Sequence, residues 1–194
     1  MIRTLVDNMY KLFAKIFFKL KGWKIRGGIP VGIKKCVLIA APHTSNWDFL
    51  YGSFAWKLFG MDVKYLAKKE LFRFPFGIFF RALGGIPVDR SKHTNLVDAM
   101  VALVNSKEEI IVLMTPEGTR KKVDNWKMGF YHLALKANIP IVLGKINYKE
   151  KEAVVEGSFF PSGNIEKDFE IIRTFYKDVV GRNPDNFSLD AIRP

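Results

Sequence analysis

The chain has 194 residues, of which 48% are hydrophobic and 14% aromatic, and it carries a net charge of +12. This length suits one domain with a substantial core, and the apolar content is too high for a disordered chain. A mean hydropathy of +0.02 is too low for a protein with several membrane spans. Because Cys36 is the single cysteine, an internal disulfide framework and a multi-cysteine metal site are excluded.

The positive charge is concentrated near the N-terminus. Residues 1–35 contain nine of the 31 Lys and Arg residues but one of the 19 acidic residues. Such a segment favours a polyanionic partner, either an anionic membrane surface or a nucleic acid.

Residues 1–21 are predicted to form a basic amphipathic helix. Its apolar side chains recur at steps of three and four residues: Leu5, Met9, Leu12, Phe13, Ile16, Phe17 and Leu20. Lys11, Lys15 and Lys19 share another face and break the apolar run that a signal peptide needs. Two interpretations stay open, a helix lying in the headgroup region of a membrane and an ordinary helix packed on the domain. The interleaving of lysines with apolar residues suits a bilayer better than a nucleic acid.

After Gly22, short apolar runs alternate with helical patterns. Strands are predicted at residues 36–41, 63–67, 86–88, 109–114, 139–146 and 153–156, and helices at residues 45–59, 94–105, 129–137 and 165–179. Residues 69–83 are predicted to hold short helices around Pro75 and Gly77. The alternation predicts one α/β domain at residues 22–180, with a mostly parallel central sheet flanked by helices. Residues 181–194 are predicted to be a C-terminal tail, and no apolar run reaches the length of a membrane-spanning helix.

A polar loop at residues 42–48 follows the first buried strand, and it contains His43 and Asp48. In a parallel sheet, the loops after the strands carry the functional groups. If the chain turns before the helix begins, Asp48 can orient the imidazole and leave its other nitrogen as a base. The alternative is a helix cap beside a surface histidine.

A second polar loop, at residues 115–127, contains Glu117, Gly118 and Arg120. A glycine allows a close backbone approach, and a guanidinium suits a phosphate, so the loop can bind an anionic ligand. Lys68 and Arg90 follow two other predicted strands and add cations at the same edge of the sheet. The alternatives are a solvated turn for the loop and a local ion pair with Asp89 for Arg90. The sequence lacks a serine-nucleophile elbow, a glycine-rich phosphate loop and a histidine cluster for a metal.

Taken together, four segments resemble in order the motifs of the PlsC-type glycerolipid acyltransferases, the lysophosphatidic acid acyltransferase family. They are His43-x4-Asp48, Gly85–Arg90, Pro116–Arg120 and Ile139–Val142. The resemblance implies an O-acyltransferase, peripherally bound to the cytoplasmic face of the membrane, with neither a cofactor nor a metal. Its acyl donor would be an acyl-CoA or acyl carrier protein thioester, and its acceptor a hydroxyl of a lysophospholipid-type molecule.

The resemblance also implies roles for individual residues. His43 would be the general base on the acceptor hydroxyl, and Asp48 would orient it. The substrate-binding residues would be Lys68, Arg90, Glu117, Gly118, Thr119 and Arg120. A backbone amide in the His43 loop or at Gly118 would stabilise the oxyanion.

Some residues depart from the family pattern, notably Pro42 before the histidine and Thr115 before the third motif. These departures leave open an acceptor outside the glycerophosphate lipids, such as an amino-lipid or another lipid alcohol. A non-catalytic lipid-binding protein on the same fold is a further alternative, and nucleic acid is not an expected partner. The phenylalanines of residues 72–80 suit an acyl groove or a membrane-facing surface, although core packing is the favoured interpretation.

Overall fold

The computed structural model of the chain describes residues 2–88 and 96–193, with side chains from residue 7 onward. The strands are β1 (Lys24–Gly27), β2 (Lys35–Ala41), β3 (Val63–Lys68), β4 (Gly85–Val88), β5 (Ile110–Met114), β6 (Ile141–Asn147) and β7 (Glu152–Phe159). The helices are α1 (Ile2–Lys21), α2 (Asn46–Leu58), α3 (Phe76–Ala82), α4 (Leu96–Asn105), α5 (Gly129–Ala137) and α6 (Ile165–Tyr176). Short 3-10 turns lie at Lys69–Phe72, Pro184–Asn186 and Leu189–Ala191. Asp89, Arg90 and the first residues of the helix predicted at 94–105 lie outside the described residues, as does the side chain of Leu5.

These strands form one sheet in the order β1-β7-β6-β2-β5-β3-β4. From β6 to β4 all neighbours are parallel, and β7 is antiparallel to β6. In the register, Ile39 of β2 lies between Met114 of β5 and Leu143 of β6. The α/β class with a mostly parallel sheet and an N-terminal helix is confirmed.

The central strands are buried on both faces, as their continuous apolar runs predict. In β2, Val37 and Ile39 face a core shared with α4, α5 and α6. Cys36 and Leu38 face the opposite core, under α2 and α3. Because alternate side chains point to opposite faces, a single seven-residue strand supplies both cores.

Helix α1 packs on α2 along one face and leaves a second apolar face exposed. Ala14 and Phe18 are buried in a cluster with Tyr51 and Phe54 of α2. The exposed stripe comprises Met9, Leu12, Phe13, Ile16 and Leu20, with exposures from 49% to 79%. Lys11, Lys15 and Lys19 are also exposed. The two interpretations of this helix are therefore compatible, since it packs on the domain and still carries an exposed apolar stripe.

Residues 181–193, predicted to be a tail, pack against the domain. Ile192 is fully buried, and the carbonyl of Ala191 accepts a hydrogen bond from the Trp126 amide at 3.0 Å. The backbone amide of Asn183 also donates a hydrogen bond to the Thr44 hydroxyl, at 3.1 Å. Apolar residues are sparse in this segment and show no period, so its packing could not be inferred from pattern.

Most of the Phe-rich stretch is not in the core, contrary to the favoured interpretation. Phe72 is buried, whereas Phe74, Phe76 and Phe79 are exposed. Within the described part of the chain, no helix has both the length and the apolar character needed to cross a membrane.

Candidate active site

Three neighbouring strands end at the candidate site. His43 follows β2, Glu117 follows β5 and Tyr148 follows β6. Because β5 and β6 flank β2 in the sheet and run parallel to it, their carboxyl ends bring these side chains to one edge.

The turn between β2 and α2 brings Asp48 back towards His43. Ser45 caps α2, and its hydroxyl accepts a hydrogen bond from the Trp47 amide at 3.2 Å. Asp48, in the first turn, completes a capping box. Its Oδ2 accepts hydrogen bonds from the backbone amides of Thr44 at 2.6 Å and Ser45 at 2.7 Å. The predicted turn of the chain before the helix is thus produced by helix capping. The same cap brings the Asp48 carboxylate close to His43.

The His43 and Asp48 side chains form a close pair. The distance from His43 Nδ1 to Asp48 Oδ2 is 3.6 Å, with side-chain exposures of 18% and 3%. This separation is longer than a hydrogen bond, although catalytic contacts of this kind often shorten when substrate binds. Burial lowers the pKa of His43; the charge of Asp48 opposes that shift and the charge of Arg120 adds to it. A lowered pKa keeps the imidazole neutral, and therefore able to accept a proton, near neutral pH.

The structure places Glu117 against the main chain of His43. Its carboxylate is buried, and both oxygens accept the backbone N–H of His43, at 3.0 and 3.1 Å. Burial raises the pKa of Glu117 to about 7; the hydrogen bond from His43 opposes this shift and the negative charge of Asp48 adds to it. Glu117 therefore holds the main chain of the histidine rather than projecting into solvent.

The rest of the third motif turns outward. Gly118 has φ of +66°, and its amide donates to the Thr115 carbonyl at 3.0 Å. This left-handed conformation favours glycine. Thr119 and Arg120 are exposed after the turn, and Arg120 is close enough to affect the pKa of His43.

The two remaining candidates lie farther from the dyad or outside the description. Lys68 is exposed at the end of β3, which is separated from β2 by β5 at the same edge of the sheet. Arg90 lies outside the described residues.

Three contacts of the site were not predicted from the sequence. The Tyr148 hydroxyl donates to Asp48 Oδ1 at 2.7 Å. The Asn183 side-chain amide donates to the Thr44 carbonyl at 2.8 Å. The guanidinium of Arg182 lies 5.2 Å from the centre of the Trp47 ring. The position of Tyr148 at the end of a strand beside β2 was a usable signal, whereas Arg182 and Asn183 belong to the segment predicted to be a tail.

An apolar cavity opens beside the dyad. It has a volume of about 100 Å³ and lies between the sheet and α2, with His43 and Asp48 among its lining residues. Leu38, Trp56 and Val155 are among the apolar side chains that line it. Among the described residues, no group of three or more His, Cys, Asp or Glu side chains could hold a metal ion. The arrangement combines a half-buried imidazole with an adjacent apolar space.

The sequence model of the Acyltransferase family matches residues 24–142, which is more than half of the chain and includes every motif residue discussed above. The matched range contains strands β1 to β5 of the central sheet as well as His43 and Asp48. The chain belongs to the acyltransferase family.

Curated relatives in this family carry a more specific name. The chain is 30% identical over 127 residues to a 1-acyl-sn-glycerol-3-phosphate acyltransferase of Streptococcus pneumoniae, covering 61% of this chain and 47% of the relative. A yeast protein of the same name, from Saccharomyces cerevisiae, is 36% identical over 118 residues, covering 56% of this chain and 38% of the relative. The chain thus spans less than half the length of these relatives.

A solved structure agrees with the fold. The crystal structure of the 1-acyl-sn-glycerophosphate acyltransferase PlsC from Thermotoga maritima matches with a TM-score of 0.57 and 20% identity. The match covers 91% of this chain and 77% of that one. At this identity the similarity establishes the shared fold.

Proposed function

We propose that this protein is an O-acyltransferase that moves a fatty acyl group from a thioester, acyl-CoA or acyl carrier protein, to a hydroxyl of a lysophospholipid. The observation that carries the proposal is the close pair formed by the half-buried His43, after β2, and the buried Asp48, in the first turn of α2, beside an apolar cavity. Family membership and the names of the curated relatives support the reaction class and a lysophosphatidate-type acceptor.

In the proposed reaction, His43 Nε2 takes the proton of the acceptor hydroxyl as the oxygen attacks the thioester carbonyl. Asp48 stabilises the imidazolium that forms, through the ring nitrogen that faces it. The tetrahedral intermediate collapses with cleavage of the carbon–sulfur bond, and His43 returns the proton to the departing thiolate. The products are the ester and the free thiol. The reaction requires neither a cofactor nor a covalent acyl-enzyme.

Four of the backbone amides near the site are already engaged. The amide of His43 donates to Glu117, those of Thr44 and Ser45 to Asp48, and that of Gly118 to Thr115. A donor for the oxyanion is therefore to be sought outside these four amides, and Arg120 is a cation whose charge acts on His43.

We propose that the cations at the edge of the sheet that carries His43 bind the headgroup of the acceptor. Arg120 is exposed beside His43, Lys68 ends β3 at the same edge, and Arg90 follows β4 in the sequence. Gly118 and Thr119 shape the turn that presents Arg120. Glu117 acts as a positioning residue, since it contacts the main chain of His43.

We also propose that the enzyme binds peripherally to the cytoplasmic face of an anionic membrane through α1. The exposed stripe of Met9, Leu12, Phe13, Ile16 and Leu20 has the character of an interfacial helix, and α1 carries lysines beside it. Each basic residue near an anionic leaflet contributes about 1 kcal/mol. The acceptor, itself a membrane lipid, would then be met at the surface where it resides.

The test is acceptor-dependent thiol release from acyl-CoA and from acyl carrier protein thioesters. The acceptors are lysophosphatidate, a zwitterionic lysophospholipid and a lipid alcohol without phosphate. Wild type is compared with His43→Ala and with His132→Ala, which removes an exposed histidine of α5. We expect release with lysophosphatidate that His43→Ala abolishes and His132→Ala preserves.

Two results would contradict the proposal. Turnover by His43→Ala at more than a small fraction of the wild-type rate would exclude the general base. If folded wild type binds vesicles but releases no thiol with any donor–acceptor pair, the non-catalytic lipid-binding alternative is favoured instead.

A further inference from the structure

The segment after β3 carries a second exposed apolar surface, distinct from the stripe on α1. We define the Phe-rich surface as Leu71, Phe74, Phe76, Ile78 and Phe79, all of which are exposed. Phe74 is 88% exposed, Phe76 69% and Ile78 68%. Single exposed apolar residues are ordinary on soluble proteins, whereas five large ones within nine residues mark an interaction site.

The local fold explains why these side chains cannot enter the core. The turn Lys69–Phe72 and the short helix α3 cross from β3 to β4 and bury their inner side chains, of which Phe72 is the main one. Gly77 is also buried, and a Cβ there would overlap the Phe72 carbonyl. The close packing of α3 on the preceding turn leaves the other side of this segment facing solvent.

The position of the surface relates it to the site. Because β3 is parallel to β5 and β5 to β2, the segment leaves the sheet at the edge that carries His43 and Glu117. Phe72 and Leu83 share a core cluster with Trp56 of α2, so α3 covers the same face of the sheet as α2. Helix α1 packs on α2 at that face as well. The elements that carry the Phe-rich surface and the α1 stripe therefore cover the same face of the sheet.

The charges around the surface identify its partner. Lys68, Lys69, Arg73 and Arg81 flank the apolar side chains and are exposed, against a single acidic neighbour, Glu70. Apolar side chains bordered by cations match the acyl and headgroup layers of an anionic bilayer.

We propose that the Phe-rich surface is a second membrane contact, which enters the headgroup region together with the α1 stripe. Two contacts on one side of the molecule fix its orientation, and the edge with His43 then meets the lipid at a constant angle. The inference rests on the proposed function for the statement that the acceptor is a membrane lipid. The contact itself is a separate claim about binding.

A fluorescent label tests the contact directly. Cys36 is fully buried and burial raises the pKa of its thiol to about 12, so a new surface cysteine can be labelled selectively. Phe76→Cys carries an environment-sensitive dye in the full chain, and the matched control is Ile171→Cys on α6, which packs on the other face of the sheet. With phosphatidylglycerol vesicles we expect a blue-shifted emission and protection from an aqueous quencher for Phe76→Cys and no change for Ile171→Cys. A label at Phe76→Cys that stays in water on vesicle-bound protein overturns the proposal.

Substitution separates this claim from the proposed function. Phe74→Ser combined with Phe76→Ser removes two exposed rings, so folding is preserved. We expect vesicle affinity to fall by about tenfold or more. Activity on acceptor embedded in vesicles should fall with it, while turnover of a monomeric short-chain acceptor should match wild type.

The remaining outcomes have distinct meanings. If wild type is inactive on the short-chain acceptor, the proposed function fails while the label still reports the contact. If the double variant binds vesicles as wild type does, the second contact is refuted whatever the activity. If it loses affinity only for acyl carrier protein, the occupant is a protein and the proposal is likewise refuted.

Discussion

Replacing Glu117 with glutamine is expected to remove a pH-dependent destabilisation from the site. The Glu117 side chain is 3% exposed, and burial raises its pKa from 4.5 to about 7. Between pH 4.5 and about 7, Glu117 of the folded chain retains a proton that the unfolded chain has released. The contribution of this group to stability is therefore present at low pH and is lost as the pH rises through about 7. The two pKa values correspond to about 3 kcal/mol between these limits.

Glutamine is neutral at every pH and keeps an oxygen that can accept the His43 amide. We expect Glu117→Gln to gain stability relative to wild type as the pH rises, by about 1.4 kcal/mol per pH unit up to a plateau near 3 kcal/mol above about pH 7. Urea unfolding of both proteins between about pH 5 and 8 measures this difference. Charge repulsion that depends on pH elsewhere in the protein largely cancels between them.

A matched control is Glu109→Gln, because the Glu109 side chain is 68% exposed and pairs with Lys34 at the surface. Its difference from wild type should stay within about 0.5 kcal/mol across the range. A flat difference for Glu117→Gln would refute the reasoning. A difference of the opposite sign would mean that the hydrogen bond from His43 stabilises the carboxylate by more than burial destabilises it.

Three further substitutions test other features of the site and its support. Tyr148→Phe removes the donor to Asp48 Oδ1 and leaves more negative charge facing His43, so the midpoint of the acid limb of the pH–activity profile should move up by about 0.5 to 1 pH unit. The control Tyr10→Phe, which loses a hydroxyl bond to Ser53, should leave that midpoint unchanged. Ile192→Ala should lower the free energy of unfolding by about 2 to 5 kcal/mol in urea titrations, because Ile192 is fully buried, and a change within about 0.5 kcal/mol would mean that the C-terminal segment does not pack in solution. Gly118→Ala places a side chain at φ of +66° and should cost about 1 to 2 kcal/mol by the same assay, with equal stability contradicting the left-handed turn.

The architecture could be predicted from the sequence because its signals are local. The apolar run at Cys36–Ala41 has the length and continuity of a strand buried on both faces, and the structure extends it by one residue to Lys35. The parallel direction of β2 and β5 also determines that His43 and Glu117 lie at the same edge of the sheet, since neighbouring parallel strands end on the same side. The exposure of Phe74, Phe76 and Phe79 could not be predicted, because a core helix and a surface contact can have the same apolar sequence pattern.

Contacts that join distant segments could not be read from pattern. Asn183 bonds to Thr44 across 139 positions of sequence, and neither residue has a periodic signal that indicates its partner. Tyr148 is similar, since its hydroxyl reaches Asp48 across 100 positions. A motif reports which chemical groups are present at a site, whereas the direction in which each group points depends on the packing of the loops.

The two acidic residues of the motifs illustrate this difference and affect how mutants of the family are interpreted. Asp48 and Glu117 are both buried, and between them they accept the backbone amides of His43, Thr44 and Ser45. Three successive amides of the loop after β2 are thus held by two carboxylates, which fix the position of the His43 imidazole. Loss of either carboxylate leaves at least one of these amides without its partner, at about 1 to 3 kcal/mol, and is expected to displace the imidazole. A lower rate in an Asp48 or Glu117 variant is therefore no evidence of contact with substrate. The informative variants are the isosteres Asp48→Asn and Glu117→Gln, because they keep an acceptor oxygen for the loop and change the charge beside His43.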